Sequence, residues 1–267
     1  MCKMRVVAWN LNCRKDASKI WSRLENMSPD IMLLSEVNRL PEHASDWTGE
    51  VERATGHDRR HRRFSTALLT RFELSGTIQL KSKHSWVNDA LAAFPGNLVA
   101  RRVVTAGGAA LNVVSVHMPS WRVPYQEFTD GDALEVKIPG YSPVYMSELI
   151  WSALDHCMSA HDGSWIIGGD FNTSEFIGRK KQNDANRTAI ARFESLGLVE
   201  VVRRRFGGPV PTWLSAQPHL DLKHQLDHVY ISETLWERVT DVRVGGVDEF
   251  GRGLSDHLPI ILDLNMD

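Results

Sequence analysis

Short, nearly unbroken apolar runs recur along the chain and end in polar residues. Residues 4–9, 31–34, 65–70, 74–80, 98–104, 111–117, 165–168, 225–231, 239–244 and 259–264 read as strands. Their apolar residues follow one another instead of alternating with polar ones, which predicts sheets covered on both faces. Helical spacing is rarer. Ile20, Trp21, Leu24 and Met27 share one face of a predicted helix over residues 16–27, and Ser28-Pro29 stops it. Pro143 is placed to open a second helix that reaches about residue 156. A third covers residues 185–196 and is closed by Gly197. Gly107-Gly108, between two strand runs, predicts a hairpin. Residues 37–63 and 119–143 carry no such period and read as polar loops. Runs of strands with interspersed helices predict a mixed α/β sandwich.

Composition narrows the class. A chain of 267 residues suits one large domain, read here as residues 1–267. A hydrophobic fraction of 42% with 24% charged residues excludes a disordered chain or a coiled coil. Lys plus Arg number 31 and Asp plus Glu 33, a formal net charge of −2. No global positive field exists to hold a polyanion, so any such binding is local. Cys2, Cys13 and Cys157 are too few and too far apart for a disulfide framework or a zinc site. They indicate a reducing compartment. With no signal-like leader and no apolar stretch of membrane-spanning length, the chain reads as cytoplasmic.

The polar residues fall at one kind of place. Asn10, Glu36, His117, Asp170 with Asn172, Asp227 with His228, and Asp256 with His257 each end or follow an apolar run. Strand ends project side chains into a common mouth. One such residue would be a cap or a turn; six places collecting only Asn, Asp, Glu and His form a pattern. Oxygen donors without a thiolate suit Mg²⁺ or Mn²⁺. Glu36 is the candidate main ligand, with Asn10 orienting or sharing the ion. His117 and His257 are candidate donors to phosphoryl oxygens. Asp170 is the candidate proton acceptor for an attacking water. At an ordinary pKa of about 3.9 it is a weak base, so burial or the metal must assist it.

The segments VVAWNLN, IMLLSEV, STALLTR, VVSVHMP, IIGGDFNTS, QLDHVYIS and LSDHLPI, running from Val6 to Ile260, resemble the successive motifs of the endonuclease/exonuclease/phosphatase superfamily, the deoxyribonuclease I-like fold. The resemblance implies a four-layered α/β sandwich, two packed mixed β-sheets flanked by helices. It also implies Mg²⁺-dependent cleavage of a phosphoester. By the same resemblance Asn10, Glu36 and Asp256 lie at the metal, and His117 and Asn172 contact the phosphate. Asp170 activates the water, His257 is the catalytic histidine, and Asp227 supports it. Ser35 stands where the family often has Gln, which bears on substrate preference. Asn12 and Ser255 are weaker candidates. The basic runs containing Arg60, Arg62 and Arg179 are candidate phosphate-backbone contacts, since Arg suits bidentate phosphate recognition. Trp121 and Trp213 could stack on a base. Against these stands an acidic loop with Glu127, Asp130, Asp132 and Glu135, which would repel a long polyanion if it overhung the site. The leading reading is a nuclease acting on DNA or RNA. The alternative is a phosphatase or phosphodiesterase acting on a nucleotide, inositol phosphate or phospholipid headgroup. A catalytically silent module is a third reading, opposed by the intact acidic and histidine set. No protein partner is inferred.

Overall fold

A strand with both faces covered must be apolar at every position, and the period of two decides which layer each side chain enters. The elements, in chain order, are β1 (Lys3–Asn10), α1 (Ser18–Met27), β2 (Ile31–Val37), β3 (Thr48–Thr55), β4 (His61–Thr70), β5 (Glu73–Thr77), α2 (Ser85–Ala92), β6 (Leu98–Val104), β7 (Ala110–His117), α3 (Asp130–Val136), α4 (Met146–Ala160), β8 (Ser164–Asp170), α5 (Lys180–Glu194), β9 (Leu198–Glu200), α6 (Val201–Phe206), β10 (Asp227–Ser232), α7 (Glu233–Trp236), β11 (Val239–Val244), α8 (Val247–Phe250) and β12 (Ile260–Asn265); the central strands β1, β2, β7, β8, β10 and β12 follow this rule. This computed structural model describes residues 3–14, 18–41, 47–55, 61–120, 122–123, 130–141, 143–214, 224–251 and 253–266.

The strands form two six-stranded mixed sheets, ordered β11-β12-β1-β2-β4-β3 and β5-β6-β7-β8-β10-β9. β1 runs parallel to β2 and β7 parallel to β8, among antiparallel neighbours. Val6, Ala8 and Leu33 of the first sheet share one buried core with Val113, Ile166 and Val229 of the second. Their chain neighbours point the other way. Val7, Trp9, Met32 and Leu34 pack on Ile20, Trp21 and Leu24 of α1. Val114, Val116 and Ile167 pack on Val87 of α2, Leu149 and Ile150 of α4, and Phe193 of α5. The result is the expected four-layered α/β sandwich, and it explains why the strands lack alternation.

Several local expectations are corrected. Residues 37–63 hold β3 and the start of β4. β3 is an edge strand whose side chains are largely in water, so its sequence carries little apolar signal. The loop at 119–143 contains the short α3. α2 is a helix that the apolar pattern did not reveal. α4 starts at Met146 rather than at Pro143, and α5 starts at Lys180 rather than at Ala185, its polar first turns carrying no apolar signal. Arg203, Arg204 and Arg205 lie in the last turn of α6, not at a strand end. β4 and β5 belong to different sheets, so the short link between them carries the chain across the sandwich. The predicted β6–β7 hairpin forms, with Gly108 at a φ of 81°.

Gly169 has a φ of +139°, and a Cβ there would stand 2.0 Å from the Val116 carbonyl oxygen of the neighbouring strand. Only glycine lets β8 pair closely with β7 at this point, and the pairing is what sets His117 opposite Asp170. Gly169→Ala should destabilise the fold by about 3 kcal/mol or more, through overpacking and backbone strain. The midpoint of urea unfolding measures this. A shift equivalent to well under 1 kcal/mol would show that the close β7–β8 approach is not required.

Candidate active site

The two-residue period also decides which strand ends face the space between the sheets. In β7, Leu111 and Val113 point inward, so His117 at the strand's end does too. The same parity turns Asp170 inward from β8 and Asp227 inward from β10, while His228 faces the helices. Asn10 follows Val6 and Ala8 inward from β1. Glu36 is out of phase, because Ile31 and Leu33 point inward and Glu36 is odd by one. A register shift between Leu34 and Val37 and a φ of +52° at Glu36 correct this, as a β-bulge does. The carboxylate then meets Asn10.

Asn10 is fully buried and connects the two sheets. Its Nδ2 donates to Glu36 Oε1 at 3.1 Å and to Asp170 Oδ2 at 2.9 Å. Its Oδ1 accepts from the Asn12 backbone N–H at 2.9 Å, which supports the left-handed turn at Asn12 and Cys13. Cys13 Sγ donates to the other Glu36 oxygen at 3.1 Å. Asp170 accepts on Oδ1 from the Asn172 backbone N–H at 2.8 Å and on Oδ2 from Asn172 Nδ2 at 3.1 Å. Asn172 Nδ2 also donates to the Met118 carbonyl at 2.8 Å. His117 Nε2 lies 3.7 Å from Glu36 Oε1 and 3.9 Å from Asp170 Oδ2, with Phe64 edge-on to its ring.

A second group adjoins the first. His257 Nδ1 pairs with Asp227 Oδ2 at 2.7 Å, and Asp227 is the ladder partner of Asp170. Hydrogen bonds pin the loop carrying His257. Ser255 Oγ donates to the Asn10 carbonyl at 2.6 Å, the His257 N–H donates to Ser255 Oγ at 3.1 Å, and Trp9 Nε1 donates to the His257 carbonyl at 2.8 Å. Thr212 Oγ1 accepts from the Asp227 backbone N–H at 3.1 Å. The ligand atoms of Glu36, His117 and Asp170 lie within 4.8 Å of one another, as do those of Asp170, Asp227 and His257.

Burial and charge separate the proton affinities. Burial disfavours the Asp170 anion and the nearby Asp227 charge adds to this, so its carboxyl is pushed up to about 7 against the pull of His257 and the bonds from Asn172 and Asn10. Burial opposes a charge on His257 too, but the Asp227 carboxylate outweighs it and the ring is pushed up to about 10. Burial lowers His117 to about 4 despite the attraction of Glu36, so that ring is neutral.

The remaining expected residues divide clearly. Asn12 lies beside the group, with its backbone bound to Asn10. Asp256 is half-buried and lies outside both close groups among the described residues. Its carbonyl accepts from the Leu214 N–H at 2.7 Å, and its charge acts on His257 from a distance. Arg179 is exposed at the N-cap of α5 and is not part of either cluster. Arg60 and Trp121 lie outside the described residues, and so does the side chain of Arg62, whose backbone is in β4. Trp213 is half-buried and bridges to His257 through its backbone. Ser35 is buried among the sheet residues. Cys13, Thr212 and Phe64 support the site without having been singled out. Cys13 directly follows the Asn10–Asn12 pair, a cue the motif contained; Thr212 and Phe64 come from distant segments with no spacing to reveal them.

Residues 7–257 match the Endonuclease/Exonuclease/phosphatase family, and the chain belongs to it. It is a phosphoester hydrolase of that family. Solved structures share the fold. A 3′ phosphatase, NExo, from Neisseria, bound to a product DNA hairpin, is 17% identical, with a TM-score of 0.66 over 98% of this chain and 99% of that one. An AP endonuclease from Archaeoglobus fulgidus is 16% identical, with a TM-score of 0.66 over 98% and 100%. The catalytic domain of Xenopus laevis APE2 is also 16% identical, with a TM-score of 0.66 over 97% and 91%. No curated protein matches the chain by sequence.

The Asp227–His257 pair yields a sign-definite expectation. A ring whose folded pKa is raised stabilises the fold fully below its ordinary value of about 6.5. That contribution is lost as pH rises through about 10. Asp227→Asn removes the dominant attraction and leaves burial, which disfavours the charged ring. The NMR titration of His257 should then move from the alkaline range to below about 7. An unchanged midpoint would show that Asp227 does not hold the charge.

Proposed function

We propose that the protein is a divalent-metal-dependent nuclease that hydrolyses DNA or RNA phosphodiester bonds by in-line attack of water. The observation that carries this reading is the split between two adjoining buried groups, Asp170 with its pKa raised toward neutrality and His257 kept charged by Asp227. Pairs of titratable groups pushed apart in this way mark a base and an acid. Solved structures of the same fold support a nucleic-acid substrate, since one, a 3′ phosphatase, is bound to a product DNA hairpin and another is an AP endonuclease.

Glu36, a quarter exposed, together with Asn10 is suited to hold Mg²⁺ or Mn²⁺, with Asp170 and His117 in reach. Such an ion, when bound, polarises a phosphoryl oxygen and offsets its developing charge. Asp170 accepts the proton of the attacking water. Both hydrogens of Asn172 Nδ2 are spent on Met118 and Asp170, so this amide fixes the orientation of the base. His257 presents Nε2, the nitrogen not used by Asp227, as a charged donor to a phosphate oxygen. Asp256 contributes a negative charge near His257. Arg179, Lys180 and Lys181 are exposed after the Asp170 turn and offer local positive charge to a phosphate backbone. The free thiols of Cys13 and Cys157 suit a cytoplasmic setting. Among the described residues no helix is long and apolar enough to cross a membrane.

The test is hydrolysis of DNA, RNA and small phosphoesters with Mg²⁺ or Mn²⁺ and with EDTA. EDTA should abolish cutting of a polynucleotide, and Asp170→Asn should lower kcat by about 10²–10⁴-fold. Glu36→Gln should raise the metal concentration for half-activity by about tenfold or more, as removal of a charged ligand does. Full activity of Asp170→Asn would remove the mechanism. Turnover confined to small phosphoesters would remove the nuclease reading.

A further inference from the structure

The turn after β8 carries Asn172 at a φ of +47°. A residue other than glycine keeps such a left-handed conformation when its surroundings hold it there. The bonds from Asn172 to Asp170 and to the Met118 carbonyl act at the near end of the turn. Its far end is held by His228 and Asn186, side chains with no part in the proton or phosphate chemistry.

His228 is the ladder partner of Gly169 and is 1% exposed. Its ring stacks on Tyr230, with centroids 5.8 Å apart and planes at 25°, and meets the Phe171 ring edge-on at 5.4 Å. Nε2 lies 3.0 Å from the Thr173 carbonyl, which can only accept, so Nε2 carries a hydrogen and donates it. On the other side of the ring, Nδ1 meets Gln225 Nε2 at 3.2 Å. Gln225 is itself fixed, since its Nε2 also donates to Glu200 Oε1, while Glu200 Oε2 accepts from the Arg203 backbone N–H at 2.6 Å. The ring therefore has one orientation, set by aromatic contacts and by both nitrogens. From α5, Asn186 Nδ2 donates to the Ser174 carbonyl at 2.7 Å. Two consecutive carbonyls, of Thr173 and Ser174, thus accept from side chains of different elements, and this fixes the peptide planes that follow Asn172. Thr173 Oγ1 closes the turn by donating to the Phe171 carbonyl at 2.9 Å.

Resting on the nuclease reading, in which Asp170 takes the proton of water, we propose that His228 and Asn186 are positioning residues. By holding the Thr173 and Ser174 carbonyls they keep Asn172 in its left-handed turn, and Asn172 in turn aims the Asp170 carboxylate. Neither residue touches the reacting atoms. A reacting group displaced by about 1 Å loses on the order of 10²-fold in rate, so the orientation of this turn bears directly on turnover.

The test measures kcat, KM and Tm of variants beside the intact protein, on a DNA or RNA that the intact protein cuts with Mn²⁺. His228→Phe keeps a ring between Tyr230 and Phe171 and removes the donor. It should lower kcat by about 10–100-fold with KM little changed. His228→Gln places an amide nitrogen where Nε2 stood and should restore most of the rate. Phe193→Leu loosens the same aromatic group, where Phe193 stacks on Tyr230 with centroids 5.2 Å apart, but leaves both carbonyl bonds in place. It should lower Tm and leave kcat unchanged. Asn186→Ala, at a half-buried helix position, should act like His228→Phe and carries the test where that variant does not fold. Independently of activity, the Asn172 side-chain amide signal in a ¹⁵N NMR spectrum should move in His228→Phe, return in His228→Gln and stay in place in Phe193→Leu. Full kcat in both His228→Phe and Asn186→Ala, or an equal loss in Phe193→Leu, overturns the proposal. A moved Asn172 signal in a protein that cuts no polynucleotide removes the nuclease reading alone. Cutting by the intact protein, with the signal unmoved in His228→Phe and Asn186→Ala, removes the positioning role alone.

Discussion

Two carboxylates, Asp170 at the end of β8 and Asp227 at the start of β10, are ladder partners with essentially no exposure, and one charged ring, His257, pairs with Asp227. Buried charges are costly unless paired and hydrogen-bonded. A single cation cannot neutralise two anions, so the surrounding structure supplies hydrogen-bond donors. Asn10 and Asn172 give Asp170 three bonds, and His257 gives Asp227 one. The remaining imbalance appears as an Asp170 carboxyl that titrates near neutrality. The feature that strains the fold is the one that leaves Asp170 able to take up a proton near neutral pH.

The polar set is held by the packing of both sheets. Asn10 bonds to Glu36 in its own sheet and to Asp170 in the other, so any relative slip of the sheets would break it. The shared apolar core of Val6, Ala8, Leu33, Val113 and Ile166 prevents that slip. Behind Asp227, Gln225 Nε2 donates to buried Glu200 at 2.9 Å and to the Asp227 carbonyl at 3.1 Å. His228, facing outward, bonds the Thr173 carbonyl through Nε2 at 3.0 Å. This network fixes the turn that carries Asn172, whose φ is +47°. Among the described residues, His117 Nδ1 and Asp227 Oδ1 are buried without partners. Incomplete satisfaction of this kind is tolerated where function requires it.

Much of this was legible in the chain. Continuous apolar runs announced sheets covered on both faces, and the polar ends of those runs announced the mouth. Asn10, Glu36, His117, Asp170, Asn172, Asp227 and His257 were singled out from type and position, and all seven come together. What failed was local. β3 and the first turn of α5 are mostly in water and carry weak apolar signals, and α3 hides in a polar loop. Asp256 and Arg179 lie outside the two close groups of the described residues, since a one-dimensional motif does not say which neighbour of a polar residue turns inward.

The sequence by itself determined the layered class of fold and the kinds of side chain at the strand ends, because burial imposes a period that a single chain must encode. Only the tertiary structure decided that Glu36, out of phase along β2, is turned to Asn10 by a bulge, that Asp227 rather than His228 faces Asp170, and that Cys13 holds the Glu36 carboxylate. It also decided that β4 and β5 part into separate sheets. These outcomes depend on register and on contacts between residues far apart in sequence, and no local pattern specifies either.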